Sequence, residues 1–227
     1  MLWQEDDPDA SSLSSEVVDL AFRIEARSLP VDHARALSQA VREVLPWVGE
    51  APATGLHLIH GATSGNGWMR PEDPGGIFYV SRRTRLTLRM PESRVAEAGA
   101  LVGRTLDLDG YPVRIGQARP RPLQAMPVLL ARHVVAQEGE DEPAFVARLA
   151  GELAEGGIRV RKLVCGRSHV LRGPEGAVQT RSVMIADLRP EDSLRLQEQG
   201  LGPGRHMGCG LFLPHKDIAS LDRKRDE

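Results

Sequence analysis

The chain has 227 residues, 41% of them hydrophobic, and a formal net charge of −2 at pH 7. That length suits one large domain or two small ones with real cores. No apolar run approaches the roughly 18–20 residues of a membrane span. The near-neutral sum counts mildly against a nucleic-acid partner. The opening MLWQEDDPDASSLSSE has neither the basic start nor the apolar centre of a secretion signal, and residues 1–15 read as a disordered lead-in. Cys165 and Cys209 stand apart, without CxxC or a Cys/His spacing that suggests zinc, and HExxH does not occur, so a reduced cytoplasm is the expected compartment.

EVVDLAFRIEA (16–26) alternates apolar and polar residues and predicts a strand. LPVDHARALSQAVREVLPWV predicts a helix, with Pro30 in its first turn and Leu37, Val41, Val44 and Leu45 at helical spacing. TGLHLIHG (54–61) reads as a short strand and ATSGNGWMRPEDPGG (62–76) as a loop. IFYV (77–80) and RLTLRM (85–90) read as a strand pair or one interrupted strand, and PESRVAEAGALVG as a helix. Asp109-Gly110, between alternating arms, signals a hairpin.

From Pro127 the pattern begins again. PVLLARHVVA predicts a strand, and EDEPAFVARLAGELAEGG an amphipathic helix with acids at its start and Gly at its end. IRVRKLVCG predicts a strand, SHVLRGPEGAVQTRSVMIADL a hairpin turning near Gly173–Gly176, RPEDSLRLQEQG a short helix and GCGLFLP the last strand. Each half gives the βαββαβ order of a ferredoxin-like unit. The expected fold class is α+β. It comprises tandem ferredoxin-like (RRM-like) domains at 16–122 and 127–216, a glycine-rich loop at 200–210 and a flexible tail at 217–227.

Charge is unevenly spread. Acids gather in 5–19 and 138–155, arginines in SRRTRLTLR (81–89), ARPRP (118–122) and IRVRKLVCGR (158–167), which is enough for one basic face on a near-neutral protein. Alternation puts Arg83, Arg85, Thr87 and Arg89 on one side of a strand and Leu86 and Leu88 on the other. A solvated strand edge gives the same pattern.

GLGPGRHMGCGLFLPHK (200–216) has five glycines in its first eleven residues. It lacks the Lys-Ser/Thr of a Walker loop, and it follows a helix rather than the first strand of a dinucleotide fold. Missing side chains admit another backbone closely. Glycine N–H groups in series form anion nests, and Arg205 is suited to a phosphate. A plain helix-to-strand turn needs only two glycines.

Gly200-Leu201-Gly202 and Gly208-Cys209-Gly210-Leu211-Phe212, closing a tandem ferredoxin-like chain, match the form GhGxxxxxGxGxF/L and resemble the RAMP superfamily. LPVDHARALSQAV, GLHLIHGATSGNGW, RPEDPGG, SRRTRLTLR and VRKLVCGRSH narrow the resemblance to CRISPR-associated endoribonucleases that cut precursor CRISPR RNA within its repeats. These form the sixth Cas family, here in its MYXAN-subtype variant, and the resemblance spans roughly residues 16–216.

The resemblance implies cleavage without metal or other cofactor: the ribose 2′-OH attacks the adjacent phosphorus, leaving a 2′,3′-cyclic phosphate and a 5′-OH. One group takes the 2′-OH proton, another protonates the 5′-oxygen, and a cation or donor stabilises the phosphorane. Imidazole, with a pKa of about 6.5, suits the first two roles. Family members carry a catalytic His in the first helix or just beyond it. Ser38, in Leu37-Ser38-Gln39-Ala40, stands where some relatives have that His, while Leu56-His57 matches the Leu-His segment of others. His33 and His57 are the expected pair, with His60 in reserve, because a regular strand sends His57 and His60 to opposite faces. Tyr79 is a further proton donor or a core residue.

Phosphate contacts are expected from Arg82, Arg83, Arg85, Arg161, Lys162, Arg167 and Arg205. Gly202, Gly204, His206 and Gly208 complete the expected RNA-binding set. His133 and His169 read as structural, His215 and Lys216 as phosphate contacts or solvated residues, and Trp68 as an exposed aromatic or a buried one. The expected partners are CRISPR repeat RNA, precursor and mature, and a multiprotein effector complex, with no membrane. The alternative is a non-catalytic RAMP-type CRISPR RNA-binding subunit, which needs no histidine near the first helix. An ordinary two-domain α+β protein is a third reading, which the glycine loop and clustered arginines argue against.

Overall fold

A computed structural model describes residues 15–60 and 75–215. All but the last residue of the expected lead-in, Trp68, Lys216 and the tail lie outside the described residues. The first half contains β1 (Val17–Glu25), β2 (Ser28–Pro30), α1 (Ala34–Val44), β3 (Gly55–His57), β4 (Ile77–Tyr79), β5 (Arg85–Pro91), α2 (Val95–Ala98), β6 (Thr105–Leu108) and β7 (Tyr111–Pro122). The second contains β8 (Leu129–Val135), α3 (Glu142–Glu155), β9 (Lys162–Gly173), β10 (Gly176–Ala186), α4 (Pro190–Gln199) and β11 (Leu213–Pro214).

The first sheet runs β3-β5-β1-β7-β6 and the second β11-β8-β10-β9. With β6 set aside as a hairpin arm, both show the antiparallel order of a ferredoxin-like unit, the first strand flanked by the third and fourth. Alternation builds each core. Leu20 and Phe22 of β1, Leu56 of β3 and Leu86 and Leu88 of β5 share one core with Leu37 and Val41 of α1. In the second, Leu129, Val183 and Ile185 join Phe145, Leu149 and Leu153 of α3 and Leu196 of α4. Each such side chain contributes about 1.5–3 kcal/mol by leaving water.

Local signals place most elements. Asp109 and Gly110 both take positive φ, 54° and 88°, and turn β6 into β7 as their sequence predicts. Asp141 caps α3, its carboxylate accepting from the Ala144 amide at 2.9 Å.

Other expectations change. Pro30 ends strand β2 rather than opening the helix, which starts at Ala34. Strand β2 pairs with β4 in a separate two-stranded sheet, so IFYV is neither a partner nor a continuation of RLTLRM. PESRVAEAGALVG forms a single α-turn between two 3-10 turns. The expected strand at IRVRKLVCG and the first arm of the hairpin after it merge into β9, which pairs with β10 nearly throughout. Among the described residues, no helix is long and apolar enough to cross a membrane.

Candidate active site

The registers of the first sheet bring distant residues into rows. His57 lies opposite Thr87, Thr87 opposite Ala21 and Ala21 opposite Arg119. The next row is Gly55, Arg89, Asp19 and Arg121. Paired residues share a face of the sheet, so this face is polar while the alternate residues form the core.

His57 is the last residue of β3, and Leu58–His60 follow no strand geometry. That irregularity removes the expected opposition of His57 and His60. Both open on one cavity of about 270 Å³, with Asp19, Arg83, Arg85 and Arg121 on its walls and Leu213 of β11 closing it from the second half.

Bonded to Asp19 is a group that alternation does not reveal. Arg89, placed by the sequence on a charged face, is only 1% exposed. Its Nε and Nη2 donate to Asp19 Oδ1 and Oδ2 at 2.8 and 2.9 Å, and its Nη1 to the carbonyls of Gln197 and Phe212 at 3.0 and 2.8 Å. This fork grips a carboxylate with one side and the second half's backbone with the other.

His57 Nε2 stands 3.5 Å from Asp19 Oδ1, within ion-pair reach and without a formed hydrogen bond. Burial pushes the His57 pKa down, Asp19 pulls it part of the way back, and Arg89 and Arg205 add to the lowering. Burial alone raises the Asp19 carboxyl, but His57 and Arg89 outweigh it and hold the group well below the usual carboxylate range.

His33 has a different environment. It is 3% exposed, Nδ1 donates to the Pro30 carbonyl at 2.8 Å, and Nε2 accepts from the Ile59 amide at 3.0 Å. Both nitrogens serve the backbone, so the ring ties the start of α1 to the segment after His57, and carrying a proton at Nε2 would break that tie. Of the three expected histidines, the structure brings His57 and His60 onto one cavity and holds His33 against the Ile59 amide between them.

Arg205 is also spent on the fold. Its Nε donates to the Thr54 carbonyl at 2.8 Å, its Nη1 to the carbonyls of Glu198, at 2.8 Å, and Gln199, and Nη2 is buried. Burial, then the charge of Arg89, brings its pKa down to about 10. Where a phosphate contact is expected, the Arg205 hydrogen bonds go to main-chain carbonyls, one just before β3 and two at the C-terminal end of α4.

The loop glycines follow the same logic. All five, Gly200, Gly202, Gly204, Gly208 and Gly210, have positive φ. A Cβ on Gly208 would meet Leu58 Cγ at 2.6 Å, and one on Gly210 would collide with the Leu201 carbonyl. At Gly204 the neighbour is Cys209, whereas Gly202 faces open space. Of the expected RNA-approach glycines, Gly204 and Gly208 accommodate the protein's own packing and Gly202 faces outward. Cys209, buried here with Leu58, Leu171 and Met207, has its thiol pushed up to about 12 by that burial.

Arg82 and Arg83 are exposed, and Arg85 donates to the Arg82 and Thr84 carbonyls, both at 2.7 Å. Lys162, at the start of β9, pairs with Asp187 at 3.0 Å, and Arg161 and Arg167 are exposed beside it. Strand β9 is three strands from β11, about 14 Å across the sheet, so these three are not gathered at the cavity. Tyr79 is 71% exposed on β4 and does not line it either. His133 and His169 stack edge-on at 5.3 Å within the second sheet, with His133 Nδ1 3.1 Å from Thr180 Oγ1.

A second groove, of about 480 Å³, has Arg35, Ser38 and Arg42 of α1 on one side and His206 on the other. Burial, then Arg42, lowers the His206 pKa. Among the described residues no three metal-ligating side chains stand together, and the cations beside His57 are arginines.

Asp19, Arg89 and Arg121 are absent from the expected site. Asp19 sits at a polar position of an alternating strand, and only the cross-strand register joins it to His57.

Comparison with known proteins gives one family. A model described as Cas6 Crispr matches residues 18–217. The CRISPR-associated endonuclease Cas6 of Myxococcus xanthus (strain DK1622) is 34% identical over 197 residues, covering 87% of this chain and 81% of that protein. Three solved structures share the fold. A CRISPR associated protein Cas6 superposes with a TM-score of 0.64 at 13% identity, over 88% of this chain and 100% of that one. A Cas6-related structure from Pyrococcus furiosus gives 0.62 at 12% identity, over 88% and 99%. An RAMP protein binding different RNA substrates gives 0.60 at 12%, over 88% and 100%.

Proposed function

The chain belongs to the Cas6 family, and on that premise we propose that it is a metal-independent endoribonuclease that cuts CRISPR repeat RNA into mature guides. The observation that carries this reading is the opening of His57 and His60 on one cavity walled by Arg83, Arg85 and Arg121. A phosphodiester in that cavity meets two imidazoles and three cations.

His57 takes the proton of the ribose 2′-OH. Its lowered pKa keeps the ring neutral and ready to accept at neutral pH. The 2′-oxygen bonds to phosphorus, the P–O5′ bond breaks, and His60 delivers a proton to the departing 5′-oxygen. Arg83 and Arg121 offset the charge that grows on the phosphorane. The products are a 2′,3′-cyclic phosphate and a 5′-OH end. Around the cavity Arg83, Arg85 and Arg121 stand with one carboxylate, Asp19, which Arg89 already engages. That excess of cations suits the backbone of an RNA strand.

In this reading 16–122 and 127–216 are the two functional domains, and the protein acts in the cytoplasm as a subunit of an effector complex that keeps the cleaved RNA. A second reading, a non-catalytic RNA-binding subunit, draws on His57 being only 9% exposed. The two part when labelled repeat RNA is incubated with the protein in excess chelator, beside an RNA with a 2′-deoxy at the cut site. Cleavage that persists in chelator and stops with the 2′-deoxy RNA supports the enzyme. Tight binding of both RNAs with neither cut supports the subunit.

A further inference from the structure

Building on the assignment of His57 as proton acceptor, we infer that Asp19 is a positioning residue that fixes the His57 ring with Nε2–H toward its carboxylate and the accepting lone pair on Nδ1. Asp19 stands opposite Arg89 in the β1–β5 register, His57 lies one row away, two residues along on the same sheet face, and 3.5 Å separates Asp19 Oδ1 from His57 Nε2. Of the groups around His57 that could receive an N–H, Asp19 is the carboxylate. Arg89, Arg205, Arg83, Arg85 and Arg121 carry only donors, and His60 lies on the cavity beside it.

The carboxylate is itself held rigidly. Arg89 grips both oxygens, and its remaining nitrogen is fastened to Gln197 and Phe212 in the second half. A neutral imidazole beside such an acceptor keeps its proton on the facing nitrogen. When the 2′-OH proton arrives at Nδ1, the Nε2–H contact shortens and the imidazolium is stabilised, as catalytic contacts do when they tighten in the reacting complex. Because Arg89 shares the charge of Asp19, orientation is the larger part of the effect and charge the smaller. The anchor also makes the setting of His57 depend on how the two halves pack.

The first test needs no variant. Long-range 1H–15N correlation on ¹⁵N-histidine-labelled protein, with His57→Ala to assign the ring, reads the tautomer of His57 directly. The expected pattern is Nε2–H with unprotonated Nδ1; an Nδ1–H tautomer overturns the inference. The second test is Asp19→Asn, with unfolding checked by circular dichroism. Removing the carboxylate takes away the interactions that raise the His57 pKa, so the acid limb of the rate–pH profile moves to lower pH. The plateau rate falls about tenfold or more, within the range for a general base made weaker and less well oriented, while repeat-RNA affinity does not fall. Wild-type rates with an unmoved profile overturn the inference. Full cleavage by His57→Ala is a different failure: it removes the functional reading, while the tautomer still reports whether Asp19 sets the ring.

Discussion

Arg205 Nε donates to the main-chain carbonyl of Thr54 at 2.8 Å, across 151 residues of sequence. Thr54 immediately precedes β3, the strand that ends at His57. The glycine-rich loop therefore steadies the approach to the cavity from behind, with its arginine turned inward and its glycines allowing the close contacts at Leu58 and Leu201.

Arg205→Ala is expected to act on stability before it acts on RNA. It removes charge-assisted bonds to three carbonyls, a loss of about 2–3 kcal/mol, read as a lower urea midpoint. The salt dependence of RNA binding stays as in the wild type once unfolded protein is subtracted. A flattened salt slope with unchanged stability would return Arg205 to the phosphate-binding set.

Arg121 should behave in the opposite way. It is exposed on β7, opposite Asp19, and borders the cavity. Arg121→Ala is expected to weaken repeat-RNA binding uniformly and to reduce the slope of log K against log salt by about one, with stability within about 0.5 kcal/mol of wild type. Titrations at several salt concentrations measure this, and an unchanged slope would exclude Arg121 from the RNA path.

The sequence carried what local chemistry determines. Alternation in β1, the Asp109-Gly110 turn and the capped, acid-led α3 are short-range signals, and each lies where its residues point. The pairing of β2 with β4 joins residues nearly fifty apart, and Ser28–Pro30 looks like a helix start when its partner is unseen. Arg89 is the sharper case. Alternation gives its face correctly, but nothing nearby in sequence tells that α4 and the segment before β11 cover that face, so a buried anchor reads as a solvated cation. The same holds for Arg205, whose partners are main-chain carbonyls and leave no mark on composition. The Leu56-His57 segment was legible through family resemblance; the convergence of His60 on the same cavity depends on β3 ending at His57, short of the strand expected over 54–61.

Stability should fall on acidification in two stages. His57 and His206 have folded pKa values lowered by burial, so the unfolded chain binds their protons more readily. Their contribution is fully present above about pH 6.5 and is lost as pH falls through the folded values. Asp19 is depressed too, so its contribution is present above its unfolded value of about 3.9 and erodes as pH falls below it. Urea midpoints across this range measure both, and His57→Ala should flatten the first stage. A midpoint that rises between neutral pH and pH 5 would contradict the burial of these rings as neutral groups.

The most direct measurement is single-turnover cleavage of repeat RNA by His57→Ala, beside its RNA affinity. Loss of a general base predicts a rate about 10²–10⁴-fold lower, with affinity within about threefold, less than about 1 kcal/mol. A wild-type cleavage rate in this variant would contradict the placement of the chemistry at His57.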